Sequence, residues 1–407
     1  MPGRVRAAVA VLLAALAAPA ATGAAPRSAG APLALRLERA LSAPHVSLAA
    51  SGAAVLDLST GRALFLHNPA LPLLPASNEK LAVTYAALTA LGPAFRIETD
   101  ILGEGRQDGT VWRGDVVLKG YGDPTLSSAD LASLARQVRV DGIAAVAGRV
   151  VGDETWFDAR RTAPGWKADF YIGESPPLSA LIVDRGLVGS WTSRNPALTA
   201  AQLFRKALIR AGVRVERGAV LGAATAKAAP LASVDSPTLA SMVNVMDHES
   251  DNFTAEMLLK ELGAVQTDRG TTAAGAGVVS GLLADAHVPM EGVRIVDGSG
   301  LSLLDRMTAQ ALVSLLTVMW NDPGVRPELL ASLPVAGESG TLVDRMRHGA
   351  ATGVVRAKTG TTDNASALSG FVGDRYVFSV LENGWPVSYA WARTAQDRFA
   401  TVLAGTP

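Results

Sequence analysis

Apolar positions recur along this chain with two periods, and the switches between them divide it into segments. From Ala31 to Ala43 the leucines at 33, 35, 37 and 41 mark the apolar side of an amphipathic helix. Val46 to Leu58 and Ala63 to Leu66 read as two strands joined through Ser59-Thr60-Gly61-Arg62, a hairpin turn. Pro72 and Pro75 lead into Ser77, and from Asn78 to Leu91 the apolar residues Leu81, Tyr85, Leu88 and Leu91 follow at helical spacing until Gly92-Pro93 stops them. Between about 96 and 235 the character changes to short β-like runs such as Val111–Lys119 and Arg149–Val151, with helices at Leu131–Val138 and Thr199–Ala211. Helical periodicity returns at Thr238–Val245, Phe253–Leu262, Thr271–Ala286 and Thr308–Trp320. Val354–Thr361, Ala367–Val372 and Tyr376–Glu382 then alternate like adjacent antiparallel strands, and Tyr389–Leu403 closes the chain as a helix.

This order predicts a multi-domain α+β protein. The first helix and hairpin, with the last strands and helix, build one antiparallel sheet flanked by helices from both ends of the chain. A mixed α/β segment splits it, giving 31–95, an inserted domain 96–235, and 236–407. A length of 407 residues, 49% hydrophobic and 18% charged, supports a sizeable core.

The start of the chain is a separate matter. Arg4 and Arg6, an apolar stretch from Ala7 to about Ala18, and small residues through Ala24 and Ala25 have the layout of a secretory signal peptide, residues 1–25. The apolar stretch is shorter than the roughly 20 residues a membrane span needs, so cleavage is favoured over an anchor. After cleavage no transmembrane anchor is expected, and the protein is exported, to the periplasm, the medium or the cell wall. Net charge is +0, so no basic field exists to hold nucleic acid. There is no cysteine, which removes disulfides, thiol nucleophiles and cysteine metal sites. The five histidines, His45, His67, His248, His287 and His348, show no metal-ligand spacing. No metal and no cofactor is expected.

Three short motifs carry chemistry. In Ser77-Asn78-Glu79-Lys80, a serine at a helix start with a lysine three residues on places hydroxyl and amine on one face. A lysine whose pKa is lowered by burial can then take the hydroxyl proton, and the helix start offers backbone N–H groups beside the nucleophile. On its own the pattern equally fits a helix cap with a solvated lysine. In Ser250-Asp251-Asn252, a hydroxyl and an amide two residues apart can point into one cleft; the plain alternative is a cap for the helix at Phe253. In Lys358-Thr359-Gly360, a strand lysine and a threonine hydroxyl can hold a carboxylate, and Gly360 lets a substrate backbone come close. Ser-x-x-Lys and Lys-Thr-Gly each occur once, and two of only seven lysines fall in them. Their order is the set found in penicillin-binding proteins and class A β-lactamases.

Longer phrases extend the match: PASNEKL (75–81), GDVVLKGYGDPTL (114–126), GWKADF (165–170), DGSGLS (297–302), SLPVAGESGTL (332–342), and AKTGTT with ALSGFVG (357–373). With these the chain resembles the D-alanyl-D-alanine carboxypeptidase/endopeptidase family, the low-molecular-mass class C penicillin-binding proteins. The resemblance implies a transpeptidase-type fold and a serine-type hydrolase acting on the D-Ala-D-Ala ends of peptidoglycan peptides, with β-lactams as covalent inhibitors. It assigns Ser77 as nucleophile, Lys80 as base, and Ser250 with Lys358 as the proton path to the leaving group. It also implies that Asn252 binds the substrate's amide side and Thr359 its carboxylate, with the N–H groups of Ser77 and Thr361 as oxyanion hole.

Two departures stand out. Glu79 occupies a place where a smaller or neutral residue is expected; because helix neighbours diverge by about 100°, it should face away from the nucleophile. The serines Ser77 and Ser250 stand 173 positions apart, fewer than the family pattern leads one to expect. The loss falls between Ile182-Val183-Asp184 and Asn195-Pro196. Asp297-Gly298-Ser299-Gly300 reads as a turn near the cleft, and His248 as structural. The competing functions are a β-lactamase or esterase on the same fold, and a non-catalytic wall-binding module.

Overall fold

The strands Ala365–Val372 and Tyr376–Asn383 are buried at almost every position, which requires a sheet covered on both faces. The computed structural model describes residues 32–406 and supplies that cover. The expected signal peptide lies outside the described residues.

Five antiparallel strands run in the order Val355–Thr362, Ala365–Val372, Tyr376–Asn383, Ser51–Asp57 and Ala63–His67. Alternation sorts their side chains. Ala54, Ala367, Phe371, Val377 and Leu381 pack on one face with residues of the helices Lys80–Ala90, Asn252–Thr267 and Ala309–Asn321. Ala53, Val55, Leu368, Phe378 and Val380 pack on the other with Leu37, Leu41, Phe399 and Leu403 of the helices Leu33–Leu41 and Tyr389–Ala404. Both ends of the chain thus contribute to one sheet.

A second sheet is built wholly from strands within Glu98–Asp235. Its centre is the long hairpin Glu98–Asp108/Val111–Gly120, paired antiparallel from Thr99↔Gly120 to Asp108↔Val111. Val150–Asp153 adds in parallel, and the helices Ser128–Val140 and Pro196–Arg210 cover one side. The fold is therefore α+β, a transpeptidase-type sheet flanked by helices and split by a mixed α/β insert. Among the described residues no helix is long and apolar enough to cross a membrane.

Local differences from the sequence pattern have clear causes. Val46–Leu58 is not one strand: Leu48–Ala50 makes a 3₁₀ turn before the strand Ser51–Asp57. The helix expected from Asn78 begins at Lys80, because Ala76 takes φ 47° and Ala76–Glu79 form a tight 3₁₀ turn first. Glu98–Asp108 was not anticipated as a strand; its outer half is polar and exposed, so only Thr99, Ile101 and Gly103 mark a buried side.

Candidate active site

The outermost strand of the main sheet, Val355–Thr362, carries Lys358. Its free edge is partly closed by Pro334–Ala336, since Ala357 N donates to Pro334 O and Ala336 N donates to Val355 O. The N–H of Ala357 therefore points off the sheet. Strand alternation turns those of Thr359 and Thr361 to the same side.

The turn bearing Ser77 is pressed against this strand. Asn78 is fully buried and its Nδ2 donates to Lys358 O at 3.1 Å. Upstream, Leu74 N donates to Asn383 Oδ1 and Asn383 Nδ2 donates back to Leu74 O. A Cβ built on Gly360 would lie 3.0 Å from both Pro75 O and Ser77 N, and 3.1 Å from Ala76 Cβ. At Gly360, expected to admit a substrate backbone, the close approach in the structure is that of the chain's own Ser77 turn. Gly300, at φ 79°, meets the same turn from the opposite side, where a Cβ would collide with Ala76 O.

Lys80 opens the helix behind Ser77 and is wholly buried. Its Nζ stands 2.9 Å from Ser77 Oγ, 2.8 Å from Asn252 Oδ1 and 2.7 Å from Ser299 O. Burial pushes its pKa down to about 8, against the pull of Asp297, Asp251, Glu256 and Asp247. Two of the three neighbours are carbonyl oxygens that can only accept. A neutral amine gives its two N–H bonds to them and turns its lone pair to the Ser77 hydroxyl.

Lys358 is equally buried, with Nζ 2.8 Å from Ser250 Oγ and 3.0 Å from Thr359 O. Burial lowers its pKa to about 7; the charge of Lys80 adds to this, while Asp247 opposes it. Ser250 sits at φ 60°, and Asp251 caps the helix Asn252–Thr267 by accepting from Phe253 N. Thr359 Oγ1 donates to Thr341 Oγ1 at 2.7 Å. The structure thus draws Ser77, Lys80, Ser250, Asn252, Lys358, Thr359, Gly360 and Thr361 into one region.

Glu79 does face away from the serine, but not into solvent. It is fully buried, and neither carboxyl oxygen has a hydrogen-bond partner. Burial, then repulsion from Asp297 and Glu256, raises its pKa well above the usual range, against the pull of Lys80. The turn 297–300 explains this neighbourhood. Asp297 accepts from Trp166 Nε1, Gly300 N, Ser302 N and Ser299 Oγ, and Glu256 Oε1 accepts from Gly298 N and Ser299 N. These bonds fix the Ser299 carbonyl that Lys80 uses. Sequence reading did not single out Glu256, although Asn252, Glu256 and Lys260 form a polar row at four-residue spacing along a largely buried helix. Nor did it find Asp247, which accepts from Thr84 Oγ1 and Ser332 Oγ beneath the two lysines. His248 lies against Glu249, with Nδ1 to Oε1 2.8 Å, away from these contacts.

Comparison with known proteins is consistent along the chain. The family model described as D-Ala-D-Ala carboxypeptidase 3 (S13) matches residues 33–192 and 189–406. Its two segments meet inside the short hairpin Leu187–Val188/Trp191–Thr192, in the stretch where residues were expected to be missing. The D-alanyl-D-alanine carboxypeptidase of Actinomadura sp. (strain R39) is 32% identical, over 86% of this chain and 80% of that protein. Carboxypeptidase Rv3627c of Mycobacterium tuberculosis is 34% identical, over 94% and 85%. The crystal structure of penicillin binding protein 4 (dacB) from Haemophilus influenzae superposes with a TM-score of 0.81 at 20% identity, covering 91% of this chain and 98% of that one.

Proposed function

The chain belongs to the D-Ala-D-Ala carboxypeptidase 3 (S13) family, and from that premise we propose that it is a serine-type hydrolase working through an acyl-enzyme on Ser77. The observation that carries the reading is the surroundings of Lys80 Nζ: two fixed carbonyl acceptors and one serine hydroxyl, with no solvent access.

In this mechanism Lys80, as the free amine, takes the Ser77 proton while Oγ bonds to the penultimate D-Ala carbonyl carbon. The negative charge on the carbonyl oxygen falls between the N–H groups of Ser77 and Thr361. Lys358 and Ser250, 2.8 Å apart, return a proton to the amine of the last D-Ala as its C–N bond breaks. Asn252 holds the substrate's amide side, Thr359 and Lys358 its carboxylate, and water then hydrolyses the ester. A cross-linked peptide presents the same carbonyl with a different leaving amine, so endopeptidase activity uses the same residues. A β-lactam keeps its leaving amine tethered to the acyl group, which is why it stays attached. The substrates are peptidoglycan stem peptides, met outside the cytoplasm by an exported protein. The segment 96–235 is an inserted accessory domain, with 31–95 and 236–407 forming the catalytic one.

The test is intact-mass analysis of the mature protein after incubation with a fluorescent penicillin, beside Ser77→Ala. One stable adduct on the wild type and none on the variant is the expected result. Rapid penicillin turnover without a lasting adduct indicates a β-lactamase, and folded protein with neither adduct nor turnover indicates a binding module.

A further inference from the structure

The turn Asp184-Arg185-Gly186 in the insert has three successive residues at positive φ, of 50°, 55° and 75°. For the two non-glycine residues this conformation is strained and persists only where surroundings impose it. They do so here: Asp184 N donates to Leu126 O, and the Asp184 carboxylate accepts from both Ser128 N and Ser128 Oγ. The consequence is the direction of Arg185. Its guanidinium reaches the Ser250-Asp251-Asn252 turn and holds Asp251 with both prongs, Nη1 to Oδ1 at 3.0 Å and Nη2 to Oδ2. It also lies over the Phe253 ring, 5.5 Å from its centroid.

Asp251 is the hinge of this arrangement. It follows Ser250, itself at φ 60°, and caps the helix that begins with Asn252. The same carboxylate accepts from Thr254 Oγ1 at 2.6 Å. A second link from the insert reaches the turn, as Asn252 Nδ2 donates to Glu174 O at 3.0 Å. An exposed single-point ion pair is worth little. A two-pronged arginine fixes orientation as well as charge, and here Arg185 and Ser250, the residue preceding Asp251, both take positive φ.

Building on the acyl-enzyme reading above, we propose that Arg185 is a positioning residue for acyl transfer: by its two-pronged hold on Asp251 it keeps the Ser250–Asn252 turn in the conformation that presents Ser250 to Lys358 and Asn252 to Lys80. Arg185 has an electrostatic role as well. Lys80 is faced by Asp297, Asp251, Glu256 and Asp247, by Lys358, and by Glu79, whose pKa is raised. Asp251 is among the charges that favour the ammonium form, and Arg185 offsets it.

The experiment compares wild type, Arg185→Ala and Arg185→Lys as full mature chains. It measures second-order acylation by a fluorescent penicillin from pH 5.5 to 9.5, melting temperature, and hydrogen exchange of the 247–254 segment. Arg185→Ala should acylate about tenfold to a hundredfold more slowly. Its acid limb should move to higher pH, because an unbalanced Asp251 raises the Lys80 pKa, and the 247–254 amides should exchange faster. Arg185→Lys keeps the charge without the fork, so its acid limb should return to the wild-type position while its rate stays low. Arg185→Ala with wild-type rate, limb and exchange overturns the proposal. So does a lower melting temperature with an unmoved limb and an unchanged rate per folded molecule. A wild type that takes no adduct would sink the acyl-enzyme reading instead, and the exchange of 247–254 would then decide on Arg185 by itself.

Discussion

Gly360→Ala is the substitution that tests most directly how the nucleophile is held. Gly360 lies on a regular strand, so alanine brings no backbone strain there. The new methyl group would stand 3.0 Å from Pro75 O and from Ser77 N and 3.1 Å from Ala76 Cβ, against ordinary contacts of 3.4–4 Å. The neighbours must give by a few tenths of an ångström, and they are backbone, pinned by the Asn78–Lys358 and Leu74–Asn383 hydrogen bonds. Displacement therefore separates Ser77 N from the strand edge that carries Thr361 N. If about 1 Å of misplacement costs on the order of 10²-fold, a few tenths cost about threefold to tenfold. Weakening one oxyanion donor adds to this, toward the roughly 10²-fold seen when such a donor is removed. The overpacking cost to stability is about 1–3 kcal/mol. The assay is the second-order rate of penicillin acylation, corrected for folded fraction, beside the neutral control Gly281→Ala, whose Cβ would meet nothing within 4 Å. Acylation of folded Gly360→Ala within twofold of wild type would refute the argument that this glycine exists for the approach of the Ser77 turn.

Two further outcomes follow from the buried charges. If Lys80 acts as the free amine, as proposed, its pKa of about 8 makes acylation rise about tenfold per pH unit below that value and level off above it; a flat profile between pH 6 and 8 would remove Lys80 as the base. Glu382 is 1% exposed and burial raises its pKa to about 8, although the Gln396 Nε2 donor opposes the rise. A carboxyl with a raised folded pKa adds stability that is complete below its unfolded pKa of about 4.3 and disappears as pH climbs through about 8. Glu382→Gln should therefore match wild type in melting temperature near pH 5 and exceed it near pH 9, and equal melting at pH 9 would contradict the assignment.

What could be read in the sequence followed the range of the forces involved. Ser77 and Lys80 are three residues apart on a nascent helix, so their pairing was visible locally. The strand that carries Lys358 alternates as a strand must, and the assembly of one sheet from both chain ends followed from matching elements. The 3₁₀ turn at Ala76–Glu79 was not visible, because its cause is Gly300 and Gly360 closing on it from distant segments. Glu79 was understood only in part: helical geometry turned it from the serine, but its raised pKa comes from burial and from Asp297 and Glu256, far along the chain. Arg185 and Asp251, 66 positions apart, left no periodic trace at all. Gly360 was noticed for close approach, and the approach that the structure shows there is that of the Ser77 turn, a contact between segments far apart in the chain.

The contacts that define the site are almost all long-range. Lys80 reaches Asn252 across 172 positions and Ser299 across 219, Lys358 reaches Ser250 across 108, and Asn78 reaches Lys358 O across 280. No isolated segment can form it, because each lysine is desolvated only when the sheet, the helix Asn252–Thr267 and the turn 297–300 have closed around it. Burying two cations side by side is unfavourable, and the partners that make it tolerable, Asn252, Ser299 O, Ser250 and Asp247, come from elements outside the Ser77 helix and the Lys358 strand. In a partly folded chain both lysines are solvated and near their ordinary pKa, so the proposed nucleophile Ser77 would have no base. On the proposed mechanism, acylation at Ser77 would therefore report completion of the described fold, the insert included, because Arg185 and Glu174 reach from it to the turn on which Ser250 and Asn252 stand.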